Sequence, residues 1–135
     1  MITPLPTDAI EPFIRECLGC RCPAEVFEQI ESEVRTFSEI RYQRLLAGRR
    51  LLVYLVITAD VQALAENVRQ LYRQGIRERD RAGYNRLRIV LPDELCESMQ
   101  GDLIALFAEL AAGDEKVHLH FVPQERVNAY ATAKH

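Results

Sequence analysis

Residues 51–57 read Leu-Leu-Val-Tyr-Leu-Val-Ile, an unbroken β-prone apolar run. A strand with one wet face alternates apolar with polar residues. An uninterrupted run instead means a strand covered on both faces, and therefore the middle of a layered sheet. The run is far shorter than the roughly 20 residues a membrane-spanning helix needs. Just upstream, Ile40, Tyr42 and Leu46 alternate with Arg41 and Gln43, and Ala47-Gly48 supplies a turn. Residues 36–57 thus read as a β-hairpin, the spine of the fold.

The remaining elements follow from periodicity and punctuation. Asp60 reads as the cap of a helix whose Val61, Leu64, Ala65, Val68, Leu71 and Tyr72 share one face and which ends at Gly75. Residues 86–91 form a strand stopped by Pro92; a helical stretch follows over 93–112, broken near Gln100-Gly101. In residues 116–122 Val117, Leu119 and Phe121 alternate with His118 and His120, a last strand. Before the hairpin, residues 12–18 form a short helix closed by Gly19, and Pro23 opens a second over 23–32.

Residues 1–11 are then a proline-containing lead-in and 12–135 a single α/β domain, with 77–85 the one candidate linker and a fraying tail after Pro123. The expected architecture is a four-stranded mixed sheet, a hairpin followed by two βαβ crossovers, with two short N-terminal helices. Right-handed crossovers place both long helices on one face. The N-terminal helices cover part of the other face, and the partner in a homodimer is expected to cover the rest.

The chemically unusual segment is Cys17-Leu-Gly-Cys20-Arg-Cys22-Pro, three of the chain's four cysteines within six residues. Three chemistries fit it. Thiolates are the soft ligands of zinc and iron–sulfur centres, so Cys17, Cys20 and Cys22 form a candidate metal set, with His118 or His120 as a further ligand. Cys17 and Cys20 also have C-x-x-C spacing. A redox site would use Cys20 or Cys22, at the mouth of the second helix, as attacking thiolate and Cys17 as resolving thiol. The third reading is packing alone, since cysteine is often buried and inert. Cys96 belongs at the opposite edge of the sheet and is not expected to join.

A second candidate lies on the sheet. If Leu87, Ile89 and Leu91 face the long helices, Arg86 and Arg88 face away, and so do His118 and His120, with Arg41 and Gln43 beside them. Such a face suits an anionic ligand or a protein partner, and it underlies the alternative reading of a non-enzymatic, dimeric interaction domain with structural cysteines. Strand starts, the hairpin turn, the arginine-rich 77–81 stretch and the cysteines all belong at one edge of the sheet.

Composition narrows the classes. A net charge of −3 argues against an overall nucleic-acid binder. The seven arginines between Arg69 and Arg88 are interrupted by Glu78 and Asp80, the pattern of a solvated, ion-paired surface. The first residues lack a secretory signal, so a cytoplasmic, bacterial-type protein with reduced cysteines is expected. Asp60, Asp93 and Glu94 stand at strand ends where α/β sheets place ligands, yet each also suits a helix cap. The glycines are scattered one per turn, and neither a phosphate-cradling loop nor a hydrolase triad is visible.

Overall fold

The computed structural model describes residues 2–37, 39–95 and 97–132. Its sheet has five strands, β1 (Ile30–Phe37), β2 (Ile40–Ala47), β3 (Leu51–Thr58), β4 (Arg86–Pro92) and β5 (Val117–Val122), in spatial order β1-β2-β3-β4-β5. The α-helices are α1 (Thr7–Cys17), α2 (Leu64–Ala82), α3 (Gln100–Ala111) and α4 (Gln124–Thr132). Neighbours β1 to β3 pair antiparallel, while α2 and α3 return the chain so that β3, β4 and β5 run parallel. The fold is mixed α/β, with one strand more than the sequence pattern suggests.

The central run behaves as its composition requires. Every residue of β3 from Leu51 to Ile57 is buried, and its two faces feed two separate cores. Leu52, Tyr54 and Val56 join Leu87, Ile89 and Leu91 beneath α2 and α3. Val53, Leu55 and Ile57 join Val90 beneath α1 and α4. Alternation in β4 and β5 runs as expected, with Leu87, Ile89, Leu91 and Val117 on the side of the long helices.

Several boundaries differ, each for a physical reason. The expected second helix is one five-residue 3-10 turn, Ala24–Glu28, and the chain then extends at once into β1. Ile30, Val34 and Thr36 are β-branched, and pairing with β2 outweighs the local helical start at Pro23. Helix α1 begins at Thr7, with Pro12 inside it, so the described residues 2–11 are no loose lead-in. Ile2 and Leu5 are buried at 1% and 3% exposure. The buried Gln43 side chain straps this segment down, accepting from the Leu5 N–H at 2.7 Å and donating to the Leu5 carbonyl at 2.9 Å.

Helix α2 passes through Gly75 and stops only at Gly83, whose φ of 76° is the left-handed closing conformation. The expected linker 77–85 is therefore mostly helix. Gly75 is present for space: a Cβ there would lie 2.7 Å from Leu87 Cδ2 and 3.1 Å from Tyr54 Cε2. The segment before α3 is two 3-10 turns, Asp93–Leu95 and Glu97–Met99. After β5, α4 occupies most of the expected tail. Its Val127 is fully buried, and its Tyr130 ring meets Phe13 of α1 edge to face at 5.9 Å. Helices α1 and α4 thus cover the part of the second face that carries Val53, Leu55 and Val90.

A half-buried polar knot fixes α2 across the hairpin. The Glu78 carboxylate accepts from Arg44 Nε at 2.5 Å, from Arg35 Nη1 at 3.1 Å and from the Tyr54 hydroxyl. Burial alone would raise the Glu78 carboxyl; the hydrogen bonds from Tyr54 and Arg44 and the charges of Arg44 and Arg35 outweigh it and hold the group below the ordinary carboxylate range.

Candidate functional site

The cysteine segment is shaped by what ends α1. Gly19, at φ 69°, turns the chain out of the helix, and the Cys20 N–H reaches back to the Ile14 carbonyl at 3.4 Å. Arg21 then projects outward between Cys20, which is buried, and Cys22, which is half-buried. The sulfur atoms of Cys20 and Cys22 are joined as a disulfide across this single residue, where reduced thiols were expected. The Cys22 backbone N–H also points at Cys20 Sγ, 3.3 Å away.

Cys17 belongs elsewhere. It is the free cysteine among the described residues, half-buried on the last turn of α1. Burial pushes its thiol up, against an opposing hydrogen bond from Tyr130 on α4, so it is protonated at neutral pH. Among the described residues no three His, Cys, Asp or Glu side chains converge to hold a metal ion. The sulfur pair drawn by the geometry is Cys20 with Cys22, not Cys17 with Cys20. Cys96 lies outside the described residues.

The disulfide opens on a cleft of about 420 Å³. Arg21, Arg50, Arg86 and Arg88 line it together with Cys20 and Cys22. Three local structures bring these arginines together. Arg50 leaves the β2–β3 turn, and its carbonyl accepts from the Asn85 and Arg86 N–H groups at 2.8 and 3.0 Å. Register then sets Leu51 beside Arg86 and Val53 beside Arg88. The 3-10 turn beneath the cysteines is only five residues long, so the cations here are side chains instead of a helix terminus.

Arg88 is held from behind. Its Nη1 donates to the Leu18 carbonyl at 2.7 Å and lies 3.0 Å from His120 Nε2. Burial, and then the like charge of Arg86, push the Arg88 guanidinium below its ordinary value. His120 is pushed down to about 4 by burial, then by Arg88 and His118. It is therefore a neutral imidazole at pH 7, accepting from Arg88 through Nε2. His118 is lowered by burial and by Arg88 and Arg86, its ring 6.4 Å from that of His120. Neither imidazole lines the cleft, and that of His120 is taken up by Arg88.

The other sequence candidates sort themselves. The 77–81 stretch, expected beside the cysteines, is the last part of α2, where Arg77 and Arg81 flank Glu78 at a different cleft. Asp60 caps the 3-10 turn Val61–Ala63 by accepting from the Gln62 N–H at 3.0 Å. Glu94 accepts from the Gln124 N–H at 2.9 Å, at the start of α4. Gln43, grouped with the anion face, is occupied by Leu5, while Arg41 stays exposed. Sequence reasoning missed Arg21 and Arg50 as lining residues; the signal was their adjacency to Cys20 and to the hairpin turn at the same edge. No described helix is long and apolar enough to cross a membrane. Compared with known proteins, the chain matches no family profile, no curated protein and no solved structure.

Proposed function

We propose that this protein is a thiol–disulfide exchange protein whose working pair is Cys20 and Cys22. The observation that carries the reading is the bond between two sulfurs one residue apart, at the wall of an open, arginine-lined cleft. A bond closing so short a loop removes little unfolded-state entropy, less than the about 3 kcal/mol attributed to a 15-residue loop. It staples nothing together, which leaves chemistry as its use.

Access assigns the roles. A thiolate of a partner dithiol attacks the half-exposed Cys22 Sγ, forming a mixed disulfide and releasing Cys20 as a thiolate. The Cys22 N–H and the neighbouring guanidinium groups stabilise that leaving thiolate. The partner's second thiolate then attacks its own sulfur in the mixed disulfide and expels the Cys22 thiolate. Two electrons pass to the protein, the partner dithiol becomes a disulfide, and its two protons go to solvent. Cys17, protonated and paired with Tyr130, is a bystander.

The test is an equilibrium titration of the native protein in glutathione redox buffers, followed by alkylation and mass measurement. The expected result is one reversible two-electron transition that adds two labels per chain on Cys20 and Cys22. It is unchanged in Cys17→Ser and absent in Cys20→Ser. A protein purified with free Cys20 and Cys22 thiols that no oxidised buffer converts would overturn the reading.

A further inference from the structure

Four arginines share the cleft, and their setting differs from that of the arginines tied into ion pairs. Arg15, Arg35, Arg44, Arg69 and Arg79 each pair with a carboxylate. Among the described residues Arg21, Arg50, Arg86 and Arg88 form no ion pair, and no acidic side chain lines the space they share. The whole chain carries a net charge of −3, so this positive spot runs against the global balance. Like charges gathered in one cleft repel, although Arg50 also borders a neighbouring cleft with Glu25 and Glu28, and Arg88 is moreover half-buried beside Arg86. The fold nonetheless ties the backbones of Arg50 and Arg86 together through the Arg50 carbonyl, and holds the Arg88 guanidinium through the Leu18 carbonyl and His120.

Guanidinium groups match carboxylates and phosphates in geometry as well as charge. A space of about 420 Å³ falls in the range of small-molecule sites. Resting on the exchange reading above, we infer that the arginine row is an anion subsite that selects the exchange partner. The substrate class is a low-molecular-weight thiol, or its disulfide, bearing carboxylate or phosphate groups a few bonds from sulfur: the Cys22 thiolate of the reduced protein attacks the disulfide and releases one small thiolate, the Cys20 thiolate then displaces the second as the Cys20–Cys22 bond forms, and two equivalents of the thiol run the same steps in reverse. The row holds the anion while the sulfur reaches Cys22, and it disfavours cationic disulfides.

Three aliphatic disulfides separate the ideas: the dianionic 3,3′-dithiodipropionate, the neutral bis(2-hydroxyethyl) disulfide and the dicationic cystamine. Each is reacted with the reduced protein at low ionic strength, and oxidation is followed by alkylation. The expected order is dianion, neutral, dication, with the dianion at least about tenfold faster than the neutral compound, as electrostatic focusing allows. Salt at about 0.5 M should close most of that gap by screening. Arg50→Met with Arg86→Met should close it at low salt too; if that variant does not fold, the salt series on the unaltered protein decides. Equal rates for all three compounds would overturn the subsite and leave the exchange reading standing. If none reacts, the exchange reading fails. The subsite is then judged by titrating the oxidised protein with suberate, the all-carbon analogue of the dianion. Saturable shifts of arginine Nε–H signals in NMR would support it, and none would overturn it.

Discussion

His120 shows how one residue can be read in two ways. On the sequence it alternates outward from a strand and offers a metal-ligand nitrogen; in the fold that nitrogen accepts from Arg88 at 3.0 Å. Its imidazole is held down to about 4, first by burial and then by Arg88, against an unfolded value near 6.5. The sign follows from proton counting. Between pH 6.5 and 4 the unfolded chain binds the proton and the folded chain does not, so stability falls as the pH is lowered through this window. His120→Gln keeps an acceptor without the titration. Its stability should lose about 2 kcal/mol less than that of the unaltered protein between pH 7 and 4. Denaturant melts of both proteins at several pH values check this, and parallel curves would refute it. The cysteines illustrate the opposite limit. Their spacing announced chemistry, but C-x-x-C spacing pointed to Cys17 with Cys20. The left-handed close at Gly19 was legible from the helix pattern before it; that it parts Cys17 from the pair is seen only in the fold.

At the scale of elements, the parallel half of the sheet was legible because its strands are buried. Apolar runs and strict alternation survive in β3, β4 and β5 because each faces a helix layer. Strand β1 was not legible because it is an edge. Its side chains are largely exposed on both faces, and Glu31, Glu33 and Arg35 give it the charges common on edge strands. A strand whose faces are both wet has no pattern to read. Gly75 misled in a related way, resembling a helix stop while serving as a contact point between α2 and the sheet. Gly75→Ala tests this. A solvent-facing glycine in a helix would gain about 1 kcal/mol on becoming alanine. Here the new methyl meets both Leu87 methyls and the Tyr54 ring, and overpacking costs about 1–3 kcal/mol. The expected outcome is a net loss of about 1 kcal/mol in chemical denaturation; a gain would show that the interface gives way freely.

Across the whole molecule the two cores differ in how far the chain must travel to build them. The core under α2 and α3 is assembled from consecutive βαβ units. The other joins the two ends: the Tyr130 hydroxyl donates to Glu16 at 2.9 Å, and the Thr3 N–H donates to Asn128 at 2.8 Å, spanning 114 and 125 residues. Contacts of such separation bear the larger loop-closure cost and form late when topology governs the rate. Native-state hydrogen exchange should therefore find α1 and α4 opening together, at lower free energy than β3 and α2; equal protection in all four would refute it.

The Tyr130 contact also has a meaning in time. As the chain leaves the ribosome, β3, β4 and the arginine row are complete well before α4 exists to close over α1. Until residue 130 has been made, Arg88 lacks a settled α1 and its Leu18 carbonyl, and the sulfur pair has no fixed wall to stand on. The sulfur-bearing end of this molecule is its last part to mature, so a nascent or truncated chain would present the cysteines before their surroundings are in place.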